Sequence, residues 1–408
     1  MMATTVSAGR RGKDVRSDLW VELELRDSGG IDLQVNSKID FMYGEANRKL
    51  AQDVLKALGV SNARVCIEDS GALPFVIMAR IETAVRRAQP QRKIPEFLPD
   101  AGPSFGRPTT RDRWRRSRLY LPGNEPKFML NARIHEPDAV ILDLEDSVPP
   151  GDKDAALILV RNALRAVDFG DCERMVRINQ LPGGMDELEP LALAGVNVIL
   201  IPKCESADEV QAVDRHVAGI LQKHHVKNDV FLIPIVETCE GMFEARRIAR
   251  ASRRVVALTY GLEDYVADLG GSKTQAGLES LWARSQAVNA AKAAGVQAID
   301  TVFADVEDMA ALEASCRAAR ELGFEGKGCI HPRQIPVVNS AFTPSAAEIE
   351  KAQKIVLAFE EAQARGRNVV CVGSKMVDPP VVQRALKTIE LAVGAGRLNV
   401  DWDKQEDQ

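Results

Sequence analysis

The sequence predicts an α/β protein: a TIM (β/α)8 barrel with a C-terminal helical segment, preceded by a small α+β domain. Three observations support this. Short apolar runs alternate with amphipathic stretches eight times over residues 118–330. A stretch rich in Pro, Gly and Arg, residues 89–112, separates that repeat from an N-terminal segment with strand and helix signals of its own. Polar residues recur just beyond the apolar runs, on the face where barrel enzymes place their chemistry.

Within residues 1–88, LWVELEL (19–25) alternates like a half-buried strand. Gly29 and Gly30 follow as a turn, and 31–35 reads as a second strand, so the two resemble a hairpin. Apolar positions at helical spacing over 41–58, ended by Gly59, predict a helix. Residues 63–67 and 73–79 read as strands around Gly71, and 81–88 as a closing helix. The linker, 89–112, reads as semi-extended, with its arginines as solvated charge. In the barrel domain, 113–342, strands are expected at 118–121, 139–143, 174–178, 196–201, 230–236, 255–259, 298–303 and 327–330. The tail, 343–408, reads as helical over 345–367 and 378–395, with Ser345 and Glu348 as a capping box.

Composition narrows the function classes. Hydrophobic residues at 45% and charged residues at 27% are globular values, which excludes wholesale disorder. A net charge of −5 offers no concentrated basic face, so no nucleic-acid partner is expected. No apolar run approaches a membrane span, and the residues before Asp14 lack the apolar core of a signal peptide. The seven cysteines are dispersed without a C-x-x-C pair, as reduced thiols would be. Together these predict a cytoplasmic protein with no membrane partner.

The residues just after the expected strands are Asn124, Glu145, Asp146, Arg177, Lys203, Glu237, Asp264 and His331. Several carboxylates and a cation on one rim suit a hard metal ion, and Glu237 and Asp264 follow adjacent strands. Histidine is scarce, which disfavours zinc or non-haem iron. Arg177 ends an apolar strand, where it needs either a barrel-mouth partner (Glu145 or Asp143) or an anionic ligand.

Eight motifs occur in order from residue 115: RRSRLYLPGN (115–124), LDLED (142–146), VRIN (176–179), PKCES (202–206), PIVET (234–238), GLED (261–264), IHPRQI (330–335) and MVDP (376–379). With them the chain resembles the citrate lyase β-subunit (HpcH/HpaI) family of CoA-ester lyases. The resemblance implies that Glu237 and Asp264 ligate Mg2+ and that Arg177 holds the oxo-acid portion. It implies that Asp378 reaches a neighbouring subunit's site as acid or base, and that Asp146 is a rim carboxylate. It also places Arg115, Arg116 and Lys127 around the loop expected to meet the CoA phosphates. The expected assembly is a homotrimer or homohexamer. From the residues alone, Asp378 before Pro379 and Pro380 reads first as a helix N-cap.

The first domain resembles the acyl carrier (γ) subunit of citrate lyase through IDLQVN (31–36), DSGAL (69–73) and ARIET (79–83). That subunit carries a CoA-like group on a serine two residues before an aspartate. Here Arg16 stands at that place and Ser17 one residue later. Either Ser17 takes a phosphopantetheine-type group in a shifted register, or the domain has lost its carrier role; the second is favoured. The expected function is Mg2+-dependent cleavage of a β-hydroxyacyl-CoA to a 2-oxo acid and an acyl-CoA. The alternatives are a citryl lyase working on its own carrier domain, a non-catalytic carrier or structural subunit, and a thioesterase on the same site.

Overall fold

The structure, a computed structural model, describes residues 5–274, 276–366, 369–373 and 375–402. The chain opens with β1 (Thr5–Gly9), β2 (Leu19–Leu25), β3 (Ile31–Ser37), α1 (Asp40–Ala57), β4 (Ala63–Asp69) and α2 (Pro74–Ala88). The four strands form one sheet in the order β1-β2-β4-β3. Alternation in β2 buries Leu19, Val21 and Leu23, as its pattern requires.

Two expectations are corrected here. Strands β2 and β3 are not a hairpin: β4 lies between them, antiparallel to β2 and parallel to β3. Residues 73–79 are not a strand, because Pro74 starts α2. That helix is buried at every position from Phe75 to Val85, so it shows neither a helical nor a strand period. It is covered on several sides, by the sheet, by α1 and by a barrel helix.

The barrel follows: β5 (Ser117–Pro122), α3 (Pro126–Leu130), β6 (Ala139–Asp143), α4 (Lys153–Ala166), β7 (Glu173–Arg177), α5 (Leu188–Leu193), β8 (Val198–Ile201) and α6 (Ala207–Lys223). It continues with β9 (Phe231–Val236), α7 (Cys239–Ala249), β10 (Ala257–Tyr260), α8 (Leu262–Leu269), α9 (Leu278–Ala294), β11 (Gln297–Asp300), α10 (Met309–Leu322), β12 (Gly326–Cys329) and α11 (Gln334–Phe342). Strands β5 to β12 close on themselves, and every neighbouring pair is parallel. Ile141, Met175, Leu200, Ile233 and Ile299 fill the interior as a cluster separate from the shell between strands and helices.

The linker is not merely solvated. The carbonyl of Arg107 accepts from Arg174 Nη2 (2.8 Å) and Asn197 Nδ2 (3.0 Å), and Thr109 donates to Glu173. Residues 102–113 thus run against the N-terminal ends of β7 and β8 and close that end of the barrel. The first domain is fastened by a buried pair, Glu82 on α2 accepting from Arg161 on α4 at 2.6 Å, and by the partly exposed pair of Arg87 and Asp154. After α11 come α12 (Ala346–Ala364), the short strands β13 (Val370–Val372) and β14 (Lys375–Val377), and α13 (Pro379–Gly394). The capping box of Ser345 and Glu348 is present. The seven cysteines are free, and no helix among the described residues is long and apolar enough to cross a membrane.

Candidate active site

A cavity of about 420 Å³ opens at the C-terminal ends of the barrel strands. Arg118, Asp143, Asp146, Arg177, Glu237 and Asp264 are among the residues that line it. Parallel strands put these ends on one face, so residues distant in sequence converge there.

Asp143 ends β6 and is 2% exposed. It accepts two hydrogen bonds from Arg177 at the end of β7, from Nε at 2.7 Å and Nη2 at 2.8 Å. Arg177 Nη1 also lies 2.7 Å from Glu145 and 3.5 Å from Asp146. Its guanidinium sits over the Tyr120 ring, 5.4 Å from the centroid. Burial works against this charge, but the hydrogen bonds and charge of Asp143 outweigh it, and the Arg177 pKa lies above the usual value. Both partners expected for Arg177 are therefore engaged at once.

Lys203 follows β8 with φ of 46°, a strained value for a side-chain-bearing residue. That conformation aims its N–H at Glu237 Oε1, 2.8 Å away. Its ammonium donates to Glu145 at 2.7 Å and lies 3.6 Å from Asp264. Glu237, just past β9, is 3% exposed. Burial pushes its carboxyl up to about 8; the Lys203 N–H opposes this, while Asp264 and Glu145 add to it. Gly261 makes room for it, since a Cβ there would fall 2.3 Å from Glu237 Oε2. Asp264 sits in the first turn of α8.

This donor set fits a hard divalent cation. Asp143, Glu145, Asp146, Glu237 and Asp264 outnumber Arg177 and Lys203, and Glu237 is a buried carboxylate in need of positive charge. Among the described residues, no group of three or more His, Cys, Asp or Glu is arranged as a ligand cluster. Mg2+ needs less than that, taking one or two carboxylates with water and substrate completing the shell.

Other expected site residues are not brought there. Arg115 and Arg116 precede β5, at the opposite end of the barrel from the cavity. Arg115 is wholly buried against Glu173 (2.7 and 2.8 Å), and Arg116 is held by Asp138 (2.8 Å) and Thr343. The structure brings neither of them beside the cavity. Lys127 on α3 is on the cavity side of β5, partly exposed beside Glu125 (3.3 Å). Asp378 caps α13, accepting from the Val381 N–H at 3.1 Å, and does not line the cavity of its own chain. Ser17 lies in a turn, with φ of 56° and its N–H donating to the Ser70 carbonyl. Sequence reasoning missed Arg118 and Tyr120. Their signal was a cation two residues before an aromatic within one strand, on the same face.

Comparison with known proteins follows the same division. Residues 116–332 match the family described as HpcH/HpaI aldolase/citrate lyase, and residues 7–88 match the acyl-carrier-type family of the malonate decarboxylase delta subunit. The citrate lyase subunit beta of Haemophilus influenzae is 35% identical over 281 residues, spanning 68% of this chain and 97% of that protein. The mitochondrial citramalyl-CoA lyase of Homo sapiens is 33% identical over 290 residues, spanning 68% of this chain and 85% of that protein. A solved structure of the protein CitE from Mycobacterium tuberculosis, in complex with magnesium, acetoacetate and coenzyme A, is 32% identical. It superposes with a TM-score of 0.57, covering 69% of this chain and 99% of that one. The chain is a lyase and belongs to the HpcH/HpaI aldolase/citrate lyase family.

Proposed function

We propose that this protein is an Mg2+-dependent carbon–carbon lyase that cleaves a β-hydroxyacyl-CoA to a 2-oxo acid and an acyl-CoA. The observation that carries the proposal is the buried Glu237 beside Asp264, in a cavity that also holds Arg177. Relatives named as lyases of citrate and citramalyl-CoA, and a related structure holding magnesium and coenzyme A, support it.

Glu237 and Asp264 would hold the metal, which would supply Lewis-acid polarisation of the oxo-acid oxygen. Arg177, fixed by Asp143 and Glu145, adds positive charge for the oxo-acid carboxylate. Asp378 of a neighbouring subunit takes the hydroxyl proton as the carbon–carbon bond breaks. The bond's electrons pass to the thioester as an enolate, which is protonated at carbon. Asp146 stands on the rim of the same site, and Lys127 meets the CoA phosphates.

A role for Asp378 in trans requires an oligomer, which in this reading is a homotrimer or homohexamer. Exposed apolar side chains on α7 and α9, with Phe243 against Trp282 at 5.3 Å and Leu278 nearby in sequence, suit a subunit contact. The protein acts in the cytoplasm on free CoA esters. In support, the N-terminal domain is pinned by Arg80, which bridges Asp18 (2.8 Å) to the Asn124 carbonyl (3.1 Å). A carrier domain that must swing would not be tied down in this way.

The test is a panel of citramalyl-, malyl-, methylmalyl- and citryl-CoA, with Mg2+ and with EDTA. At least one thioester should be cleaved only with the metal, and Glu237→Ala should abolish both cleavage and Mg2+ binding. Intact mass should show no adduct on Ser17; a phosphopantetheine-type mass would favour the carrier-dependent reading instead.

A further inference from the structure

Arg118 is the second residue of β5, and strand alternation sends it to the barrel interior with Tyr120. It is wholly buried. Among the described residues its side chain makes one hydrogen bond, from Nη1 to Thr259 Oγ1 at 3.0 Å, across the interior, and its Nε and Nη2 have no partner. The other large buried arginines are closed off: Arg80 by Asp18, Arg115 by Glu173, and Arg174 by the carbonyls of Gly195 and Arg107. Among the described residues, no carboxylate pairs with Arg118.

A guanidinium taken out of water without a counter-charge is costly, and donors left unpaired add to the cost. What distinguishes Arg118 is that it lines the same cavity as Arg177, Glu237 and Asp264. The unpaired nitrogens are closed to solvent in this structure, but the residue that carries them borders space that a ligand can enter. Arg177 is held by Asp143 and Glu145 at the strand end, while Arg118 stands near the start of β5, so the two arginines offer separate places for anionic groups.

We propose that Arg118 is a specificity-determining residue that binds a second carboxylate on the oxo-acid half of the substrate. The substrate class is then a hydroxyacyl thioester whose cleavage releases a dicarboxylic 2-oxo acid. A substrate with a methyl group at that place leaves Nε and Nη2 unsatisfied and is selected against. This inference rests on the lyase reading above and deepens it.

The test uses the intact protein with Mg2+. Its kcat/KM is measured for citryl-CoA, which carries the extra carboxylate, and for citramalyl-CoA, which carries a methyl group there. Binding of oxaloacetate and pyruvate is measured in parallel by calorimetry. The wild type should prefer the carboxylated member of each pair by roughly 100-fold or more. Arg118→Met should bring both ratios near one, and Arg118→Lys should keep part of the preference. A wild-type ratio near or below one, or a ratio unmoved by Arg118→Met, overturns the proposal. If Arg118→Met does not fold, the wild-type ratios and Arg118→Lys decide. If neither thioester is cleaved, the oxo-acid titration alone decides on Arg118, and the lyase reading fails only if malyl- and methylmalyl-CoA are left intact as well.

Discussion

At the N-terminal end of the barrel, each donor nitrogen of Arg115 finds an acceptor: Glu173, Gln297 and the carbonyls of Thr110, Arg111 and Arg113. Asp138 closes Arg116 in the same manner, and the linker carbonyl of Arg107 closes Arg174. At the C-terminal end the materials are the same and the finish differs. Carboxylates exceed cations around Arg177 and Lys203, Glu237 is buried with its pKa pushed up to about 8, and in the interior that the cavity reaches, two nitrogens of Arg118 stay unpaired among the described residues. Saturated polar networks hold a fold together, whereas unsatisfied ones cost stability and persist where a ligand completes them. The difference separates the structural end of this barrel from the working end.

The comparison can be broken by changing one residue at each end. Glu237→Ala should lower kcat/KM about a thousandfold or more. It should leave the melting temperature unchanged or higher, because a destabilising buried carboxyl is removed. Steady-state cleavage and thermal unfolding on the same preparation check both halves. Glu173→Ala should do the opposite. It leaves Arg115 buried and uncompensated, costing about 3–5 kcal/mol in chemical denaturation. Activity per folded molecule should be retained; a large fall in kcat with stability intact would erase the distinction between the ends.

Smaller changes sharpen it. Arg177→Lys keeps the charge but loses the two-point grip on Asp143, and should lower kcat/KM about 100-fold. The smallest effect belongs to Ser345→Ala, remote from the cavity: about 1 kcal/mol of stability from the lost cap on α12, with turnover unaffected.

The barrel was legible because each strand is a short apolar run between amphipathic helices, and the residues past those runs marked the cavity mouth. Glu237, Asp264 and Arg177 all line it. Tertiary facts were not legible. The pairing of β4 between β2 and β3 leaves no local trace, and α2 lost its helical period by being buried all round. Arg115 and Arg116 sit in the right motif but before the strand, which puts them at the closed end. Arg118 was overlooked because one cation in an apolar strand looks like a surface residue until the strand's inward face is known.

The most direct test of the lyase reading is product analysis of thioester cleavage with Mg2+ and with EDTA. The expected result is a 2-oxo acid and a shortened acyl-CoA in equal amounts, formed only with the metal. Equal turnover in EDTA, or release of free CoA without an oxo acid, would contradict it.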